Sequence, residues 1–313
     1  MNRPGRFRRP LAALALLIAL GCSAGIAQPI RGAEPIRVSS SSAKADFPKG
    51  MTFHLDADGD STITRVELLF TKASLETLHL VTPKFTPARR IAIDATSDFQ
   101  IDFVPPGIDV SYHWRLTDVD GRTTEIPPLS VLWEDTRFDW KSISTPQVTV
   151  YAYNGNDAFD QIVLDSSQKT IDRLQDEFGV KKSLPIRIWV YNSKKDFSGS
   201  QAPNSQDWIA GTAYPAMPVV LAVLPEGDKH EVGRIIPHET SHQMLNQATK
   251  NPFNSPPTWL DEGLAVSNQD NGNEDFPAIV GRASAENRLL SIRALTSEFP
   301  YDPAQATLAY AES

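Results

Sequence analysis

The segment His238-Glu239-Thr240-Ser241-His242 constrains the fold more than any other feature of this chain. Two imidazoles four residues apart can reach one metal ion if the segment is helical, because positions i and i+4 share a helix face. On that face the carboxylate of Glu239 stands beside the place where a metal's water would sit. A catalytic zinc takes three protein ligands and keeps its fourth position open, so one more His, Asp or Glu has to arrive from elsewhere. The chain must build a helix for HETSH and bring a second element across it.

Residues 256–265 read PPTWLDEGLA. Glu262 follows His242 after 19 intervening residues, enough to finish one helix, turn through the prolines and begin another. Thr258 and Asp261 have the spacing of a capping box, which predicts a helix starting there, with Asp261 as a capping residue and Glu262 in the first turns. HETSH followed at this distance by WLDEGLA resembles the gluzincin branch of the zincin metallopeptidases, the peptidase-MA-like proteins whose third ligand is the glutamate of W-L-x-E-G-x-A. The resemblance runs from about residue 146 to the C-terminus. It implies a zincin-like domain of mixed sheet and active-site helices, with His238, His242 and Glu262 as ligands of Zn2+ and Glu239 as general base. The substrate it implies is a peptide or protein. Glu239 would take a proton from a zinc-activated water and hand it to the leaving amine.

In related gluzincins a tyrosine often faces the oxyanion. Tyr310, within LAYAES at 308–313, resembles the tyrosine of a Y-A-x-S segment in this family; packing beneath the site is the other role open to it. Metzincins would continue with Gly and His three and six residues after His242, but those places hold Leu245 and Ala248, and no methionine follows Trp259. Two features depart from the family pattern. Pro237 directly precedes His238, which predicts a helix beginning near 231–234, so that the proline falls where N–H groups lack partners anyway. Val266 stands where thermolysin-like gluzincins carry an aspartate, so the groups that orient the two histidines are not assigned by pattern.

Around these motifs the chain reads as α/β. Residues 148–153 (VTVYAY) form an expected strand, and Phe159, Ile162, Val163, Ile171, Leu174 and Phe178 recur at helical spacing before Gly179. Ile186, Ile188 and Val190 alternate with Arg187, Trp189 and Tyr191, a strand with one buried face. Residues 208–224 are apolar but broken by Pro215 and Pro218, which suits either the edge strand that pairs with substrate in zincins or a core strand with a bulge.

Residues 36–135 have another character. Alternation at 65–70 and 101–104, with turn signals at 105–107 and 120–121, predicts an immunoglobulin-like or fibronectin-like β-sandwich. Tyr112 to Arg115 reads as one of its strands, and His54, His79 and His113 as ordinary surface or core residues. Residues 56–67 carry acids at calcium-loop spacing, but Ser61 replaces the glycine of the sharp turn, so a polar turn between two strands is expected. Residues 136–145 read as a connector to the domain at 146–313.

Arg3, Arg6, Arg8 and Arg9 precede the apolar run 11–20, too short to span a bilayer and typical of a secretion signal. Cleavage after Ala27 gives a signal peptide at 1–27; alternatively a lipoprotein signal ends at 21 and Cys22 carries a lipid anchor. Either way the protein is exported, to the cell envelope or the outside. Cys22 is the only cysteine, so no disulfide forms within the chain. No further run is long enough for a transmembrane span in the mature chain. Removal of residues 1–27 takes away four arginines and no acids, moving the formal charge from −8 to −12. Such acidity argues against nucleic-acid binding. The chain ends within an expected helix, 303–313, which leaves open a catalytic domain truncated at its C-terminus. Two other readings stay open: a catalytically weak or inactive peptidase-like module that binds at a surface, and an adhesin whose working part is the sandwich.

Overall fold

The computed structural model describes residues 35–72, 77–101, 103–153, 155–180, 183–203, 205–206, 209–250, 255–272 and 275–313. The expected leader at 1–27 and Cys22 lie outside the described residues.

The alternating apolar pattern of the first part produces β1 (Ile36–Asp46), β2 (Gly50–Lys72), β3 (Leu78–Val81), β4 (Ala88–Asp98), β5 (Ile108–Asp118), β6 (Thr123–Glu125) and β7 (Leu129–Trp133). β2 is the spine. Its first half lies between β1 and β4 and its second half pairs with β3 and β5, so all seven strands form one antiparallel hydrogen-bonded system. Phe53, Leu55, Val66, Leu68 and Phe70 of β2 are buried with Tyr112 and Trp114 of β5.

Two expectations fail here. Residues 56–67 make no turn and no metal loop; they continue β2. The extra residues are absorbed by register shifts between Asp58 and Ile63 against β4 and between Ile63 and Arg65 against β5, which bend a strand without ending it. Asp56 is bonded to His54 and Asp58 to Arg90. Nor does 101–104 form a strand: among its described residues Ile101 is exposed, while Val104 turns inward and its carbonyl accepts the indole N–H of Trp133.

The second part has a five-stranded mixed sheet, built from β8 (Lys141–Ser144), β9 (Val148–Ala152), β10 (Ile186–Tyr191), β11 (Gly211–Tyr214) and β12 (Val219–Val223) in the order β11-β12-β10-β9-β8. β9, β10 and β12 are parallel, and the two outer strands are antiparallel to their neighbours. α1 (Asp157–Phe178) crosses from β9 to β10, capped by Asn156 and ended by Gly179 in the left-handed conformation at φ 67°. α2 (Lys194–Ser198) follows β10.

β10 is buried on both faces, not one. Ile186, Ile188 and Val190 pack with α1 and with α3 (Lys229–Thr249), whereas Trp189 and Tyr191, with Val219 and Leu221 of β12, join the core of the first part. The second face needed an apolar cover, and the seven-stranded region supplies it. The approach is close: a Cβ on Gly107 would lie 2.2 Å from Nε1 of Trp189, and Arg187 donates to the Gly107 carbonyl at 2.8 Å and to Asp109 at 2.7 Å. The stretch expected as a connector is packed too, and β8 lies within it. Asp135 is fully buried and accepts from the Arg137 guanidinium and the Tyr191 hydroxyl, while Trp140 packs edge-on against Trp189 and Tyr191. Residues 35–313 form one compact unit.

α4 (Thr258–Ser267), α5 (Phe276–Ala285), α6 (Ile292–Thr296) and α7 (Pro303–Glu312) follow α3. They share a small core of Leu295, Phe299 and Ala309, with Trp259 and Tyr310 against it. The architecture is thus α+β. No described helix is long and apolar enough to cross a membrane.

Candidate metal centre

HETSH lies on α3, whose N-terminus is capped by Asp228 accepting from the Glu231 amide. Val232, Ile235, Ile236 and Met244 seat the helix under the mixed sheet, and Gln243 donates to the Val219 carbonyl of β12 at 2.8 Å. Pro237 is inside the helix, about two turns in, rather than in its first turn. The missing amide leaves the Gly233 carbonyl without its partner in the helix, and the backbone N–H of Asp270 takes it at 2.8 Å. This outside donor is why an interior proline is tolerated.

α4 crosses α3 and carries Glu262. The Nε2 atoms of His238 and His242 stand 3.4 and 3.5 Å from one carboxylate oxygen of Glu262. That oxygen, Oε2, is buried and has no hydrogen-bond partner. Among the described residues these three side chains form a group whose ligand atoms all lie within 4.8 Å of one another. Two donors each about 2.1 Å from a tetrahedral ion stand about 3.4 Å apart, so the spacing fits zinc and the unbonded oxygen has a use.

The other ring nitrogen of each histidine is held. Nδ1 of His242 meets Asp261 at 2.6 Å, and Nδ1 of His238 meets the side-chain amide of Gln269 at 3.0 Å. Asp261 is therefore not a capping residue: α4 begins after Pro257 with no side-chain cap, and Thr258 bonds to the Thr296 carbonyl instead. Neither partner was assigned from the sequence. Asp261 carries a signal in hindsight, an acid beside the ligand glutamate, while Gln269 carries none.

Charge in the site favours a cation. Burial alone would lift the Glu262 carboxyl, but His238 and His242 outweigh it and hold it at about 2. Burial would lower the His242 imidazole, yet Asp261 and Glu262 draw it well above its ordinary value. Glu239 is buried beside them. Burial pushes its carboxyl up and the nearby Glu262 adds to this, against the pull of the two histidines and the Ala213 amide. Its carboxylate lies against Gly211 of edge strand β11, where a Cβ would come within 2.5 Å of Oε1.

All five residues singled out in the sequence (His238, Glu239, His242, Glu262 and Tyr310) line one cleft of about 670 Å³. β11 forms one wall, with Gly211, Thr212 and Ala213. Of the segment 208–224, then, 211–214 is an edge strand and 219–223 a buried strand beside it. Tyr310 of α7 packs edge-on against Phe299, with its ring 6.4 Å from that of His238; burial, then Glu262 and Glu239, raise its pKa.

Residues 166–313 match the sequence model of the Peptidase MA superfamily. No curated protein matches the chain in sequence. Among solved structures, OgpA from Akkermansia muciniphila is similar with a TM-score of 0.27 and 6% identity, over 33% of this chain and 30% of that one. A structure of catalytically inactive OgpA with an O-glycopeptide substrate gives 0.26 and 8%, over 36% and 32%. The chain thus spans about a third of the length of OgpA. BC0361, a polysaccharide deacetylase from Bacillus cereus, gives 0.24 and 11%, over 70% and 79%. Scores this low do not establish a common fold. The sequence match is of another kind, since residues 166–313 span both the HETSH helix and the glutamate that meets it: this segment of the chain is similar to the Peptidase MA superfamily.

Proposed function

We propose that the protein is an exported zinc metallopeptidase that hydrolyses peptide bonds. The observation that carries this is the meeting of the His238 and His242 Nε2 atoms on one unbonded Glu262 oxygen, with the buried Glu239 carboxylate alongside in an open cleft. His238, His242 and Glu262 would hold the ion. Bound there, zinc supplies a Lewis acid and a water acidic enough to ionise near neutral pH. Glu239 is the base. Its raised pKa brings the carboxyl nearer the working pH, so it can accept a proton at Oε1 or Oε2 and return it to the leaving amine. Gly211 keeps that carboxylate on the substrate side of the helix by leaving room for it. The Tyr310 hydroxyl, kept protonated by burial, is the donor available to a developing oxyanion. An extended peptide would add to the β11 edge.

The finer architecture belongs to the same proposal. Residues 36–135 serve as an immunoglobulin-like or fibronectin-like accessory region, 1–27 as the export signal, and Cys22 as a lipid attachment point if cleavage falls before it. The test is zinc content by elemental analysis on the purified mature chain, with hydrolysis of casein. One zinc per chain, lost in Glu262→Ala, with casein cleavage abolished in Glu239→Gln, is expected; a parent chain without zinc refutes the proposal.

A further inference from the structure

We infer that Gln269 is the positioning residue for His238, and that Pro237 exists in α3 to anchor the loop that carries it. The inference rests on the proposed zinc site. His242 is braced by Asp261, which belongs to the same helix as the ligand Glu262, but His238 faces a residue beyond the end of α4. A loop can fix an imidazole only if it is itself fixed.

The loop 268–271 is tied to α3 at several points. The Asp270 amide bonds the Gly233 carbonyl that Pro237 leaves vacant, and Asn271 Nδ2 donates to the His230 carbonyl at 2.8 Å. Asn268, almost fully buried, donates to the Ser241 hydroxyl inside HETSH at 3.0 Å. From the other side α1 holds the same loop, through Lys169 on Asp270 and Arg173 on the Asn268 carbonyl. Gly233 leaves room for the docking, since a Cβ there would stand 2.7 Å from Asn271 Nδ2 and push that side chain aside. An ordinary residue at 237 would spend the Gly233 carbonyl within the helix; proline turns it into a docking point five residues before His238.

What the docking achieves is a tautomer. For Nε2 of His238 to offer its lone pair to an ion, Nδ1 must carry the proton and have an acceptor for it. In the structure Nε2 of Gln269 is the atom 3.0 Å from Nδ1; with the amide turned over, which exchanges two atoms of nearly the same shape, its oxygen accepts that proton. A group in this position typically contributes about 10–100-fold to metal affinity.

The experiment is zinc affinity by chelator competition on the full mature chain, with thermal melting of the metal-free proteins alongside. Gln269→Ala is expected to weaken zinc binding by about 10–100-fold while the metal-free protein melts near the parent temperature, and Gln269→Glu, which restores an acceptor, to recover most of the loss. Pro237→Ala returns a competing amide to the Gly233 carbonyl; zinc affinity should fall while the metal-free protein melts no lower. Parental affinity in Gln269→Ala, or no recovery in Gln269→Glu, overturns the role of Gln269. Unchanged affinity in Pro237→Ala overturns the role of the proline. A parent chain that binds no zinc fails the proposed function itself, and with it this inference, which separates the two.

Discussion

Replacing Gly211 by alanine tests the catalytic arrangement without touching a ligand. The added Cβ would lie 2.5 Å from Oε1 of Glu239, 2.8 Å from Cγ and 2.9 Å from Cδ. Unstrained contacts need about 3.5 Å, so the carboxylate must retreat by about 1 Å. Turning the carboxylate about its last bond offers no escape, because Cγ is crowded as well and the side chain is buried. Misplacing a reacting group by about 1 Å can cost about 100-fold in rate, and that is the expected fall in kcat/KM on a quenched casein substrate. Crowding of this kind costs about 1–3 kcal/mol of stability, small enough for the variant to fold. Zinc content should stay at the parental level, since the three atoms nearest the new Cβ all belong to Glu239 rather than to His238, His242 or Glu262. A variant that keeps more than about a tenth of parental activity, or that loses zinc in step with activity, would refute the reasoning.

Three further outcomes are expected. Tyr310→Phe should lower kcat by about 100–1000-fold with KM little changed in steady-state assays, whereas a residue that merely packs against Phe299 would tolerate the change. Asp135→Ala leaves the buried Tyr191 hydroxyl without its acceptor, while the exposed Arg137 guanidinium keeps water and the Asp196 carbonyl, and should cost about 1–3 kcal/mol, read from the urea midpoint. His54 has its pKa raised by Asp94 and then Asp56, so its contribution to stability is complete below the ordinary value of about 6.5 and is lost as pH rises through the raised folded value. The group is exposed, so the effect is worth less than about 1 kcal/mol; His54→Gln should remove it, and added salt should shrink it in the parent chain.

The sequence was most readable where a local pattern had a local cause. α1 runs from its Asn156 cap to Gly179 as its periodicity and glycine stop required, and the spacing from HETSH to Glu262 was enough for the two helices to meet. It was least readable where distant chain supplied the reason. Nothing near Trp189 says that the second face of β10 is covered, because the cover comes from strands in the first part of the chain. The interior position of Pro237 depends on a donor thirty-odd residues later, at Asp270. A local clue to it was missed: Asp228 and Glu231 have capping-box spacing and mark the true start of α3. At 56–67 the acids suggested a break, but the inward residues on either side, Leu55 and Ile63, were already spaced to continue a bulged strand.

The shared core beneath β10 also sets the smallest piece of this protein that can stand alone. The family match begins at residue 166, inside α1, and so omits β8, β9 and the seven-stranded region that covers Trp189, Tyr191, Val219 and Leu221. Uncovering four large apolar side chains forfeits about 1.5–3 kcal/mol each, roughly 6–12 kcal/mol together, which is the whole stability of an ordinary domain. A fragment trimmed to the recognised segment would hold every proposed zinc ligand and yet aggregate through its own sheet. The strand-rich region is thus a structural wall of the candidate site, and any transplant of the site has to carry that wall with it.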